Sequence, residues 1–264
     1  IILFFVYLPI SVKATDNPKK PVYKVGVFGF DNFLSVNENG IGSGYAGEYL
    51  ERIAEKENIS FEYVNIPFEE ANEAFKSGDF DVYAGIPYNQ LFEENFDYSE
   101  MSMGQNYLEL FGLSDSNTYA LNDFESFSGM KVGYLSDSKK HIEAIEMIKN
   151  NNPRIVFVPY ENITYDEYED KLKSGEVNAI VGTTYKYKEN YTVIARLSKE
   201  LLFFGTQKDK PELKKYIDDG MREIDIEDSS YQYEIFQKYY GRMALSNLFT
   251  KEEREYISEN PDIN

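Results

Sequence analysis

The chain has 264 residues, 42% of them hydrophobic, enough for one large domain or two lobes of ordinary domain size. Its 46 acidic against 27 basic side chains leave a formal charge of −19, which argues against nucleic acid and against peripheral binding to anionic lipid, since both need a basic footprint. With no cysteine there is no thiolate chemistry, no disulfide and no cysteine-based zinc site.

In chain order, Ile1 to Ile10 (IILFFVYLPI) is too short to span a bilayer but fits the apolar part of a secretory signal, and Ser11-Val12-Lys13-Ala14 supplies small residues near a cleavage point. Residues 1–20 are therefore expected to be a signal peptide cut short at its start, plus a spacer, with a buried strand as the alternative; the mature chain would be extracellular or periplasmic. Tyr23 to Phe28 reads as a strand running into the loop Gly29 to Phe33. Gly40-Ile41-Gly42-Ser43-Gly44 lacks the spacing and lysine of a phosphate loop and reads as a turn. Tyr49, Leu50, Ile53 and Ala54 then recur at helical spacing up to Asn58. Phe61 to Val64 alternates as a strand, Pro67 opens a helix with Phe68, Ala71 and Phe75 on one face, and Val82 to Ile86 is a third strand. This β-α-β-α-β order implies a mostly parallel sheet.

Asp97-Tyr98-Ser99 leads into an extended run, Met101 to Leu113, long enough to cross between lobes. A second β-α-β-α-β set follows: strand Met130 to Tyr134, helix Lys139 to Asn150, strand Arg154 to Val158, helix Tyr165 to Lys173, strand Ala179 to Gly182. A second crossing runs near Ala195 to Phe204, and Pro211 to Tyr240 is helical. Two crossings predict a discontinuous first lobe, residues 21–112 plus 199–241, with a second lobe, 113–198, inserted in it. Thr250-Lys251-Glu252-Glu253 is a capping box, so residues 242–264 are expected to be a helical linker toward a following module.

The two sets share a repeat. Lys76-Ser77-Gly78-Asp79-Phe80-Asp81 is matched by Lys173-Ser174-Gly175-Glu176-Val177-Asn178, displaced by 97 residues. In each copy a helix stops at a glycine, which takes the left-handed C-cap conformation cheaply, and a short strand follows. Ligands of open α/β sheets bind beyond the carboxyl ends of strands, so two such stations suggest one ligand held between two lobes.

With Val25-Gly26-Val27, Gly44-Tyr45, the repeat, Phe96-Asp97-Tyr98-Ser99 and Gly129-Met130-Lys131-Val132-Gly133 in this order, the chain resembles the type 2 periplasmic solute-binding proteins of the family 3 kind from about Tyr23 to Gly241. It is most similar to the sensor modules found ahead of diguanylate cyclases and histidine kinases. The resemblance implies a two-lobed α/β fold, each lobe a mostly parallel sheet flanked by helices. It also implies a non-enzymatic module that closes on a small molecule and signals to a fused, membrane-anchored output domain. The alternative is a protein that delivers a solute to an ABC permease. In amino-acid binders of the family an arginine grips the ligand carboxylate, and Phe92 stands at that position. An aspartate takes the amino group, and Thr183 stands there; a Gly-Thr pair becomes Asp137-Ser138. A free α-amino acid is therefore not expected as ligand.

Positions after strand ends nominate the cleft residues: Phe28, Phe30 and Asp31; Gly85, Tyr88, Asn89 and Phe92; Ser136, Asp137 and Ser138; Thr183 and Thr184. Their aromatic faces and hydroxyls would make an apolar wall with few polar contacts. His141, the single histidine, lacks a serine or carboxylate partner at catalytic spacing and is expected at the surface. No EF-hand or zinc spacing is present, so neither cofactor nor metal is expected. An enzyme on this fold, eliminating water from a cyclic acid as some relatives do, would need a tuned acid or base. The candidates, Asp31 and Asp137, lack a cationic partner for such a substrate.

Overall fold

Two sets of parallel strands, each begun by its central strand, meet along a pair of long antiparallel strands. The computed structural model describes residues 20–30, 32–88, 94–116, 119–184, 190–246 and 256. The signal-like run, Asp31, Asn89, Phe92 and the capping box at Thr250 lie outside the described residues. The first set comprises β1 (Val22–Val27), the small hairpin β2 (Ser35–Val36) and β3 (Gly42–Ser43), α1 (Gly44–Glu57), β4 (Ser60–Asn65), α2 (Ala71–Lys76) and β5 (Val82–Pro87). The second comprises β8 (Lys131–Leu135), α3 (Lys139–Asn151), β9 (Val156–Tyr160), α4 (Tyr165–Lys173) and β10 (Ala179–Thr183). Between the sets run β6 (Asp97–Tyr98) and β7 (Gly104–Leu113); after them come β11 (Tyr191–Thr206), α5 (Pro211–Glu227) and α6 (Tyr231–Ser246).

The main sheet has the order β4-β1-β5-β11-β7-β10-β8-β9. β1 pairs in parallel with β4 and β5, and β8 in parallel with β9 and β10. β11 and β7 are antiparallel to their neighbours and to each other, and their ladder runs from Tyr191 opposite Leu113 to Leu202 opposite Gly104. The ladder slips between Val193 and Ala195 and again between Arg196 and Ser198. Such bulges bend a strand and raise its twist.

Each set has its own apolar core. Leu50, Ile53, Val25, Phe204, Leu213 and Ile217 are buried together on one side of the first set, and Phe75, Phe80, Ile86 and Phe96 on the other. Val132, Ile148, Val181 and Ile194 form one core of the second set, and Phe111, Tyr168, Leu172 and Ile180 the other. Each lobe thus has an interior of its own.

The repeat is a pair of equivalent pins. Gly78 and Gly175 have φ of 81° and 75°, where a Cβ would be strained. Ser77 and Ser174 each donate a hydroxyl hydrogen bond back into the helix they end, to Ala74 and Lys171. Asp81 N–H donates to the Lys24 carbonyl while its carboxylate accepts from Lys24 N–H; Asn178 does the same with both groups of Lys131. The acidic or amide residue thus fastens each helix end to the first strand of its set. Asp81 alone adds an ion pair, with Lys210.

Two elements depart from expectation. Phe68 does not share a buried face with Ala71 and Phe75. Residues 68–70 form a 3-10 turn of three residues per turn, which swings Phe68 off that face to 46% exposure. The C-terminal helix is two helices, broken where the Asp228 carboxylate accepts from the Ser230 N–H and hydroxyl before α6 begins.

Candidate functional site

The strand ends of both sets and the two crossing strands enclose a cavity of about 280 Å³, near the lower bound of roughly 300 Å³ for small-molecule pockets. Its wall is largely aromatic. Phe28 leaves the end of β1 and packs against Tyr83 with ring centroids 4.6 Å apart and planes tilted by 40°, and Phe30 meets Phe68 edge to face at 5.4 Å. Phe33 and Phe96 complete it. Burial pushes the Tyr83 phenol up to about 12, so it stays a neutral hydroxyl at physiological pH. Gly85 lies against Phe33 at φ 81°, where a Cβ would come within 2.4 Å of the Phe33 ring. The aromatic wall therefore needs glycine there.

The polar lining is sparse: Asn72, Asn106, Lys140, Thr183 and Glu200. Asn106 and Glu200 are directly opposite on β7 and β11. Lys140, at the start of α3, donates to Glu200 at 2.7 Å, tying the second lobe to the crossing strand. Below the cavity Glu109, 1% exposed, accepts from the Thr184 hydroxyl at 2.8 Å and from Arg196 Nε at 3.0 Å. Burial raises the Glu109 carboxyl above its ordinary range, opposed by the Thr184 hydrogen bond and by Arg196. Among the described residues no group of three histidine, cysteine or acidic side chains is placed to hold a metal ion.

Of the residues nominated from sequence, Phe28, Phe30, Gly85 and Thr183 line the cavity. Thr184 points the other way, onto Glu109, because neighbouring residues at a strand end face opposite sides. Ser136 donates to the Tyr160 carbonyl, and Ser138 caps α3 by accepting from His141 N–H. Asp137 is exposed. Tyr88 is 57% exposed and packs on Tyr98 and Phe203. Asp31, Asn89 and Phe92 are not among the described residues.

His141 is not a surface residue: it is 3% exposed, and its Nδ1 accepts from the Leu135 N–H at 3.1 Å. A strand-end amide that would otherwise be orphaned supplies the reason to bury it. Sequence reasoning missed Asn106, Lys140 and Glu200. Only the polar interruptions within the crossing runs could have marked Asn106 and Glu200.

Residues 24–242 match the sequence model of the bacterial extracellular solute-binding proteins, family 3. No curated protein sequence matches the chain. Among solved structures, the probable amino-acid ABC transporter extracellular-binding protein ytmK of Bacillus subtilis is similar at a TM-score of 0.69 and 19% identity, over 84% of this chain and 99% of that one. Substrate binding domain 2 of Lactococcus lactis GlnP, in its open conformation, gives 0.65 and 18%, over 85% and 97%. The ancestral amino acid-binding protein AncCDT-1, a precursor of cyclohexadienyl dehydratase, gives 0.58 and 18%, over 83% and 95%.

Proposed function

The chain belongs to family 3 of the bacterial extracellular solute-binding proteins, and from this premise we propose that it is an exported binding protein that captures a small solute between its lobes and delivers it to an ABC importer. The observation that carries this reading is the aromatic cavity bounded by both strand sets and both crossing strands. The lobes, which we assign to residues 21–107 plus 199–241 and to 108–198 because Leu108, Leu110 and Phe111 pack in the cores of the second set, turn about β7 and β11, whose register slips supply the bend. Bound solute favours the closed arrangement, and the protein binds without transforming it.

The solute is not a free α-amino acid. Phe92 stands where amino-acid binders carry arginine. Among the described residues of the cavity the cation is Lys140, already compensated by Glu200. Removing one side of a buried charge contact costs about 2–5 kcal/mol. Calorimetric titration with the twenty amino acids should find no dissociation constant tighter than about 0.1 mM, near −5.5 kcal/mol; a micromolar value for any of them overturns this part. The sensor role drew support from the linker-like stretch Leu248 to Pro261, and no feature of the described residues favours it over transport. Spin labels at the exposed Glu62 and Glu146, one on each lobe, test closure. A low-molecular-mass cell extract should shift their distance distribution, and an unchanged single distribution refutes capture by closure.

A further inference from the structure

A second cavity, of about 290 Å³, shares no described lining residue with the aromatic one. It lies where α5 ends and α6 begins, against Tyr49 of α1 and Ser102 on the approach to β7. Its lining carries two carboxylates, Asp225 and Asp228, and among the described residues no lysine, arginine or histidine. Asp225 makes no ion pair or hydrogen bond with a described residue. Asp228 spends Oδ1 on the Ser230 N–H and hydroxyl. Gln232 donates to the Ser102 carbonyl at 2.8 Å, which turns its amide nitrogen away and leaves its oxygen as an acceptor. The carboxyl end of α5 adds partial negative charge, while the positive end of α6 is met by Glu234 in its own first turn. Arg52, whose charge reaches Tyr231, is held by Glu55 and Glu227.

Tyr49 supplies an independent observation. It is 3% exposed, lines this cavity, and its hydroxyl has no hydrogen-bond partner among the described residues. Burial raises its pKa, and Tyr231 and Asp225 on the same wall add to the rise, which places the hydroxyl beside them. The hydroxyl is not among the sealed polar atoms, so a molecule in the cavity can reach it. Buried polar groups are paired in about nine cases in ten, and here the partner has to come from the cavity. We propose that this cavity is a second binding site, separate from the cleft, for a small organic cation carrying primary ammonium groups, held by Asp225, Asp228 and the Tyr49 hydroxyl. Calcium takes about six to eight oxygen ligands, and among the described residues no three metal-holding side chains converge. An ammonium group needs only a few acceptors, and a carboxylate pair with a hydroxyl between aromatic rings provides them.

The test uses the purified full chain, titrated calorimetrically at low ionic strength with diaminobutane, with its permethylated form, which keeps both charges and lacks N–H, and with calcium. Diaminobutane should bind one per chain with a dissociation constant below about 1 mM, and the permethylated form at least about tenfold more weakly. Tyr49→Phe should weaken the diamine by about tenfold, one hydrogen bond from a charged donor, and Asp225→Asn by about fivefold, an exposed charge contact. Phe30→Ala, on the aromatic cavity, should leave it unchanged. Without ligand, Tyr49→Phe should melt no lower than the parent protein, because the hydroxyl it removes makes no bond within the fold; a lower melting temperature would mean an internal partner and overturns the inference. No binding at millimolar concentration, equal affinity for the permethylated form, indifference to either variant, or calcium binding more tightly than the diamine each overturns it as well. Loss of diamine binding in Phe30→Ala places the amine in the cleft, which overturns the second site and leaves capture between the lobes standing.

Discussion

The two pins of the internal repeat allow a comparison within one molecule. Asp81 and Asn178 make the same pair of backbone contacts, with Lys24 and Lys131, but Asp81 is 5% exposed and also holds Lys210, whereas Asn178 is exposed and uncharged. Asn178→Ala removes one solvent-accessible hydrogen bond and should cost about 0.5–1.5 kcal/mol. Asp81→Ala removes a buried charged acceptor, at about 1.5–3 kcal/mol, and the pairing with Lys210. That lysine is one-third exposed, so its pairing adds at most about 1 kcal/mol. The total is about 1.5–4 kcal/mol. Asp81→Asn keeps the pin and loses only the pairing, so it should resemble Asn178→Ala in size. For a chain of this length each kcal/mol shifts the melting temperature by about 2–4 °C, which calorimetric melting resolves. If Asp81→Asn proves as damaging as Asp81→Ala, the ion pair and not the strand pin dominates and the reasoning fails; equal losses for the two alanine variants would refute the burial argument.

Two further outcomes follow from the site. Glu109 holds its proton in the folded protein to a higher pH than in the unfolded chain, so between its ordinary value of 4.5 and its raised value the folded state binds more protons and stability falls as pH rises. Glu109→Gln should flatten that fall in urea titrations across mildly acidic pH, and an unchanged slope refutes the assignment. Gly85→Ala places a methyl within 2.4 Å of the Phe33 ring at a positive φ, costing about 1–2 kcal/mol for the backbone and about 1–3 for overpacking. The displaced ring should abolish solute binding, and retained affinity in equilibrium dialysis would show that the cavity wall tolerates the shift.

The repeat was readable because glycine at a helix end and an acidic or amide residue before a strand have local causes: one backbone conformation, and one hydrogen bond to a neighbouring strand. The order of elements followed from the same punctuation. What escaped had distant causes. The burial of His141 depends on the Leu135 amide at a strand end, invisible in the helix that carries the ring. Thr183 and Thr184 are adjacent in sequence, yet a two-residue period sends one to the cavity and the other to Glu109. Phe68 lost its expected face to a change of helical pitch. Asn106, Lys140 and Glu200 meet only because β7, β11 and α3 converge, and no short motif records that convergence.

The path of β11 sets an order of events in folding. β5 has β1 on one side, but its other neighbour is the carboxyl half of β11, whose Thr206 pairs with Val82. More than a hundred residues intervene, so at synthesis rates of about 5–20 residues per second the β5 edge waits on the order of ten seconds for its partner. The β8-to-β10 strands pair among themselves from contiguous chain, and their cores need only β7 and the first residues of β11, Tyr191 to Leu197, so that set can be completed ahead of the earlier one, which remains open along an apolar strand. Exposed edges of this kind template wrong pairings. The vulnerable species during synthesis is therefore a chain whose later lobe is finished and whose earlier lobe is not, and its lifetime is governed by how quickly the carboxyl half of β11 docks on β5.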